Sequence, residues 1–156
     1  MSDATSTPTL PPLMDRISFL THRLNALMAR ACNPYFQVWG VDLIMSRMMV
    51  VMLEHGPLPA GEIVRIMALP QSTISHQIKR LEKLGYVERE QGKQDSRVRA
   101  ASLTEKGREV ALQANLLSRQ VIAVLLDSIG EEDMETVRAA LKRADRALQE
   151  FKFEED

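Results

Sequence analysis

Between Pro70 and Leu103 the hydrophobic pattern changes its period, and this change limits the fold more than any other stretch of the chain. Ile74, Ile78 and Leu81 recur at helical spacing, Gly85 closes the run, and the residues beyond it alternate as strands do. The spacing predicts a helix from about Pro70 to Leu84, with Pro70 suited to its first turn. Tyr86–Glu90 and Val98–Leu103 flank the polar stretch QGKQDS and predict a β-hairpin. A short helix over about Ala60–Met67 comes just before. Two helices of these lengths joined by a tight turn have the dimensions of a helix-turn-helix.

The face opposite the apolar stripe carries the chemistry. At 100° per residue, Ser72, Ser75, His76, Lys79 and Lys83 fall there, and Thr73 and Arg80 complete the candidate set. Short hydroxyls near a helix N-terminus can approach phosphates or base edges, and longer cations can follow groove walls. The hairpin places Lys93, Gln94, Asp95, Arg97 and Arg99 at or near its tip, and a tip arginine suits the negative potential of a minor groove. A basic hairpin beside such a helix is a winged helix-turn-helix. Net charge is −1, yet Pro70–Arg99 holds seven Lys/Arg against four acids, whereas Glu131–Asp156 holds nine acids against five bases. A neutral total thus conceals a basic middle. A charged helix or a hairpin alone is an ordinary solvated surface; the two together favour binding of double-stranded DNA.

The ends of the chain read differently. Residues 1–12 are rich in Ser, Thr and Pro and are expected to be a disordered tail. Leu13, Ile17, Leu20, Leu24, Leu27 and Ala31 follow in steps of four and three, predicting a helix that stops before Pro34. Asp42 is a credible N-cap for a helix over Leu43–His55, ended by Gly56-Pro57. Thr104 caps a long helix to Gly130 with Val110, Ala114, Leu117, Val121 and Val124 on one face. A last helix opens with Glu131, Glu132 and Asp133 and carries Met134, Val137, Leu141, Ala144, Leu148 and Phe151. The fold is therefore expected to be mainly α: four helices, a hairpin and two helices. Residues 42–103 form the winged unit, and 13–41 with 104–151 form dimerisation helices. A compact monomer has difficulty burying both narrow terminal seams, so a homodimer sharing them is expected.

Composition narrows the function classes. The 156 residues suffice for one domain with its own core. One cysteine allows no internal disulfide and suits a reducing, cytoplasmic setting. Cys32, His22, His55 and His76 show no metal-ligand spacing, so no metal or cofactor is expected. No apolar run approaches the roughly 18 residues of a membrane span, and the N-terminus lacks a signal-peptide pattern. No nucleophile–base pair, phosphate loop or metal triad is present, so no catalytic residue is assigned and an enzyme is not expected.

Three motifs then converge. Leu81-Glu82-Lys83-Leu84-Gly85 closes the second helix, Asp95-Ser96-Arg97 sits in the wing, and Leu103-Thr104-Glu105-Lys106-Gly107 enters the next helix. With the helix order around them, residues of about 13–150 resemble the MarR family of bacterial transcriptional regulators. The resemblance implies a homodimer joined through the terminal helices, with Arg97 as the wing arginine and Asp95 orienting it or a neighbouring cation. Pro59 departs from the Ser or Thr that often caps the third helix in this family. The resemblance also implies a small, often aromatic or anionic effector at the junction of the two parts. His22, Arg23, Tyr35, Trp39, Arg47 and Met48 are the candidates. Arg47 either receives a carboxylate, pairs with a partner's acid, or reaches solvent. Met45, Met48, Met49 and Met52 form either an adaptable wall or plain core. Members that sense peroxides carry their cysteine early in the first helix, near Ser18 here, and Cys32 lies at the far end. The expected function is an effector-responsive repressor that binds a pseudo-palindromic operator. The alternative is a dimeric protein-interaction module whose winged helix no longer reads DNA.

Overall fold

The computed structural model describes residues 10–91 and 99–152. The chain divides into two compact units, Met1–Ala114 and Asn115–Asp156. The first holds α1 (Ile17–Phe36), α2 (Leu43–His55), β1 (Leu58–Pro59), α3 (Ala60–Met67), α4 (Gln71–Lys83), β2 (Val87–Gln91), β3 (Arg99–Leu103) and the opening turns of α5 (Glu105–Ile129). The second holds the rest of α5 and α6 (Glu131–Glu150). Helices with a small antiparallel sheet match the expected winged fold. Most of the expected N-terminal tail and the hairpin tip lie outside the described residues.

The first helix lies further along the chain than its apolar stripe suggests. Leu13–Asp15 form a 3-10 turn after Pro12, and Arg16 is extended, so α1 begins at Ile17. The helix runs through Pro34 rather than stopping before it. Proline so near the end withdraws one backbone donor, from the carbonyl of the exposed Arg30. Cys32 and Phe36, one turn apart, are both buried, with Phe36 only 1% exposed. Their burial holds the last turn together. A 3-10 turn at Gln37–Trp39 and left-handed Gly40 then end the rod.

The N-cap of α2 is as expected: Asp42 Oδ1 accepts from the Met45 amide at 2.9 Å. Asn33 Oδ1 accepts from the Leu43 amide, tying the end of α1 to the start of α2. Met45, Met48, Met49 and Met52 are all buried, with Ile63, Ile74, Leu81 and Phe36 also in the core. Of the two readings of the methionines, core is the one realised.

The sheet order is β1-β3-β2, antiparallel, with Leu58 opposite Ala101 and Arg89 also opposite Ala101. The two-residue β1 is missing from the sequence reading. It is too short to show alternation, and Pro59 is tolerated because β1 is an edge strand. The second strand starts at Val87 instead of Tyr86, because Tyr86 belongs to the helix cap described below.

α5 has an 18-residue window of mean hydropathy 1.2, enough by length and composition to cross a bilayer, although Asn115, Ser118, Arg119 and Gln120 interrupt it, so it is not one apolar run. A helix that packs on other helices passes the same test, and Val110, Ala111 and Ala114 are buried in the first unit. In the second unit no residue of α6 is buried.

Candidate nucleic-acid interface

The turn between α3 and α4 is made by Ala68, Leu69 and Pro70. Ala68 adopts a left-handed conformation, φ 50° and ψ 39°. Pro70 stands at the N-cap rather than in the first turn, and its carbonyl accepts from the Ile74 amide at 3.1 Å. Ile74, Gln77, Ile78 and Leu81 form the buried side of α4. Ser72, His76, Lys79 and Lys83 are exposed, and Thr73 and Ser75 are half-buried beside them. Hydroxyls at the N-terminal end and cations further along thus share one accessible surface.

Arg80 is placed differently. Its Nη1 donates to Asp42 Oδ2 at 3.3 Å and to Gln77 Oε1 at 3.0 Å, so it turns toward α2. Gln77, buried and polar, escaped the sequence reading because it sits between Ile74 and Ile78; its Oε1 accepts from Arg80, one turn along the same helix.

The C-terminal end of α4 is locked by several independent bonds. The Gly85 amide donates to Glu82 O, and the Tyr86 amide donates to Leu81 O at 3.0 Å. With Gly85 at φ 76° this is a Schellman cap, and its hydrophobic pair is Leu81 with Tyr86, both buried. Thr104 Oγ1 donates to Gly85 O at 2.7 Å and accepts from the Gly107 amide at 3.0 Å, which caps α5. Lys106 Nζ donates to Leu84 O at 3.3 Å and lies 4.9 Å from the centre of the Tyr86 ring. The Tyr86 hydroxyl donates to Trp39 O at 2.8 Å. Two of the three sequence motifs are therefore halves of one joint between α4 and α5. Tyr86 and Lys106 were not singled out from sequence, although the motif containing Lys106 was the available signal.

At the base of the hairpin Arg89 Nε donates to Glu82 Oε1 at 2.7 Å, joining β2 to α4. Arg99 is exposed on β3. Lys93, Gln94, Asp95 and Arg97 lie outside the described residues.

The six effector candidates fall in different surroundings. His22 and Arg23 are exposed, with His22 against Phe19, and Tyr35 is 63% exposed. Arg47 Nη1 donates to Asn25 Oδ1 at 2.8 Å. Met48 is fully buried, so it cannot line an open site. Trp39 lines a groove of about 440 Å³ shared with Tyr86, Lys106, Glu109, Val110, Leu112 and Gln113. Cys32 is buried, and the described residues hold no cluster of three potential metal ligands.

Residues 39–98 match the sequence model of the MarR family. The chain is 27% identical over 135 residues to the HTH-type transcriptional regulator TcaR of Staphylococcus aureus (strain Newman), covering 83% of this chain and 89% of that protein. Among solved structures it is similar to a probable transcriptional regulator from Pseudomonas aeruginosa. That match has 26% identity and a TM-score of 0.73, over 85% of this chain and 99% of the other. It also shares the fold of MepR from S. aureus, solved as a DNA complex, with 18% identity and a TM-score of 0.76 over 85% and 98% of the two chains.

Proposed function

We propose that this chain, a transcriptional regulator of the MarR type by its similarity to that family, acts as a homodimeric repressor that holds a pseudo-palindromic DNA operator. The observation that carries the proposal is the outer face of α4, where Ser72, His76, Lys79 and Lys83 are exposed opposite a buried stripe. That face enters the major groove, with Thr73 and Ser75 at its margin. Arg99 and the residues beyond the described hairpin, Lys93, Gln94, Asp95 and Arg97, follow the adjacent backbone and minor groove. MepR, of the same fold, was solved with DNA, which supports this mode of use.

Dimerisation rests on apolar surface left bare. Ile17, Leu20, Leu24 and Leu27 of α1 are exposed, as are Val137, Leu141 and Leu148 of α6. Contiguous apolar stripes of this kind on a folded chain mark an interaction surface. A two-fold dimer would present two α4 helices to half-sites about one DNA turn, ~34–36 Å, apart. The repressor is released by a small aromatic or anionic effector. The groove at Trp39 and Tyr86 supports this part, since it adds the Lys106 ammonium to two aromatic rings.

The test is selection of binding sites from a random duplex library with the full chain. An inverted repeat with two half-sites is the expected outcome. Failure to enrich any duplex even at low salt would overturn the reading and favour the protein-interaction alternative.

A further inference from the structure

Arg80 has the residue type of a phosphate contact and lies on α4, yet its guanidinium faces inward to two acceptors. Gln77 belongs to the same helix, whereas Asp42 starts α2, 38 residues earlier in the chain. Asp42 divides its two oxygens: Oδ1 caps α2 through the Met45 amide, and Oδ2 accepts from Arg80. The ion pair is half-exposed, with 42% of the Arg80 side chain and 34% of the Asp42 side chain accessible. A pair so open to water adds little to folding stability.

We propose that Arg80 is a positioning residue that sets the rotation of α4 about its own axis, and that it is not one of the DNA contacts. This rests on the reading that α4 enters DNA. The apolar stripe of Ile74, Ile78 and Leu81 fixes the depth of α4, and the bonds at Leu81, Glu82 and Gly85 anchor its C-terminal end, while Arg80 ties the helix to α2. Side chains end about 5–6 Å from a helix axis, so a rotation of about 10° carries their tips through roughly 1 Å. Base-edge hydrogen bonds have a working range of only a few tenths of an ångström. Arg80 Nη1 is shared between Gln77, which steadies the side chain along α4, and Asp42, which opposes that rotation by tying α4 to the N-terminus of α2 that Asp42 also caps. The two functions of Asp42 separate chemically: asparagine is as good an N-cap but is no partner for a cation.

The test uses the full chain with a duplex enriched from a random library by the parent protein. Fluorescence anisotropy is measured over a series of potassium chloride concentrations for parent, Arg80→Ala, Arg80→Lys, Asp42→Asn and the Asp42→Asn/Arg80→Ala pair. Arg80→Ala is expected to weaken binding about three- to tenfold with an unchanged slope of log Kd against log salt. Asp42→Asn should weaken it similarly, the pair should be no worse than either alone, and Arg80→Lys should not restore the parent. A slope lower by about one phosphate in Arg80→Ala, with recovery in Arg80→Lys and no coupling to Asp42, would make Arg80 a backbone contact and overturn the proposal. Melts of each variant accompany the titrations, and if Arg80→Ala loses its fold, Asp42→Asn carries the decision alone. A parent that enriches no duplex overturns the DNA-binding reading itself, which is a different result from uncoupled variants.

Discussion

Gly107 sits so close to the backbone of Tyr86 that a β-carbon on it would lie 1.9 Å from the Tyr86 carbonyl oxygen. That oxygen also accepts from the Thr104 amide at 3.0 Å. The glycine therefore sets how closely α5 approaches the end of α4, and it does so by lacking a side chain rather than by its backbone angles.

Gly107→Ala is expected to destabilise the protein by about 1–3 kcal/mol or more, because backbone on both sides must move. Urea denaturation followed by circular dichroism measures this directly. A midpoint equal to the parent's would mean that the contact relaxes at no cost.

Thr104→Ala removes both the cap of α5 and the bond to Gly85 O. Its expected cost is about 1 kcal/mol, and Thr104→Ser, which keeps the oxygen, should recover most of it. A serine variant as weak as the alanine one would point to the methyl group instead.

The apolar stripes predict assembly. Static light scattering should give twice the chain mass of 17.6 kDa. Leu24→Asp and Leu141→Asp, which put charges on exposed leucines of α1 and α6, should shift the protein toward the single-chain mass or leave it insoluble. Unchanged dimers in both variants would remove these helices from the interface.

His76→Ala and Lys79→Ala separate reading from anchoring. His76, if it touches a base edge, should cost about 1–3 kcal/mol and relax preference at one position. Lys79, if it touches phosphate, should weaken all duplexes alike and flatten the salt slope by about 0.9. Repeating site selection with each variant decides between the roles, and parent-like behaviour in both would mean that another face meets DNA.

Arg97 lies outside the described residues, so its expected role rests on the Asp95-Ser96-Arg97 motif. Arg97→Ala should reduce operator affinity about tenfold, equivalent to ~1.4 kcal/mol, with the melting temperature nearly unchanged. Asp95→Ala should lose less, since the arginine charge remains. Anisotropy with a selected duplex, alongside a melt, would expose a purely structural wing through loss of fold without a specific binding defect.

What the sequence determined by itself was everything written in local periodicity and local chemistry. Ile74, Ile78 and Leu81 specify a helix with one apolar face whatever it packs on, Asp42 caps α2 three residues ahead of its donor, and Gly85 supplies a left-handed turn. Tertiary structure decided what depends on partners far along the chain. The two-residue β1 exists only because Ala100 and Ala101 pair with it. α1 continues through Pro34 because Phe36 has a core to enter, which offsets one lost backbone bond. Arg80 and Lys79 are neighbours of the same charge on the same helix. One turns to Asp42 and the other is exposed: helix geometry points them about 100° apart, and the placement of α2 beside α4 gives Arg80 its partner. Spacing along a helix fixes direction, but which directions meet depends on how the helices pack.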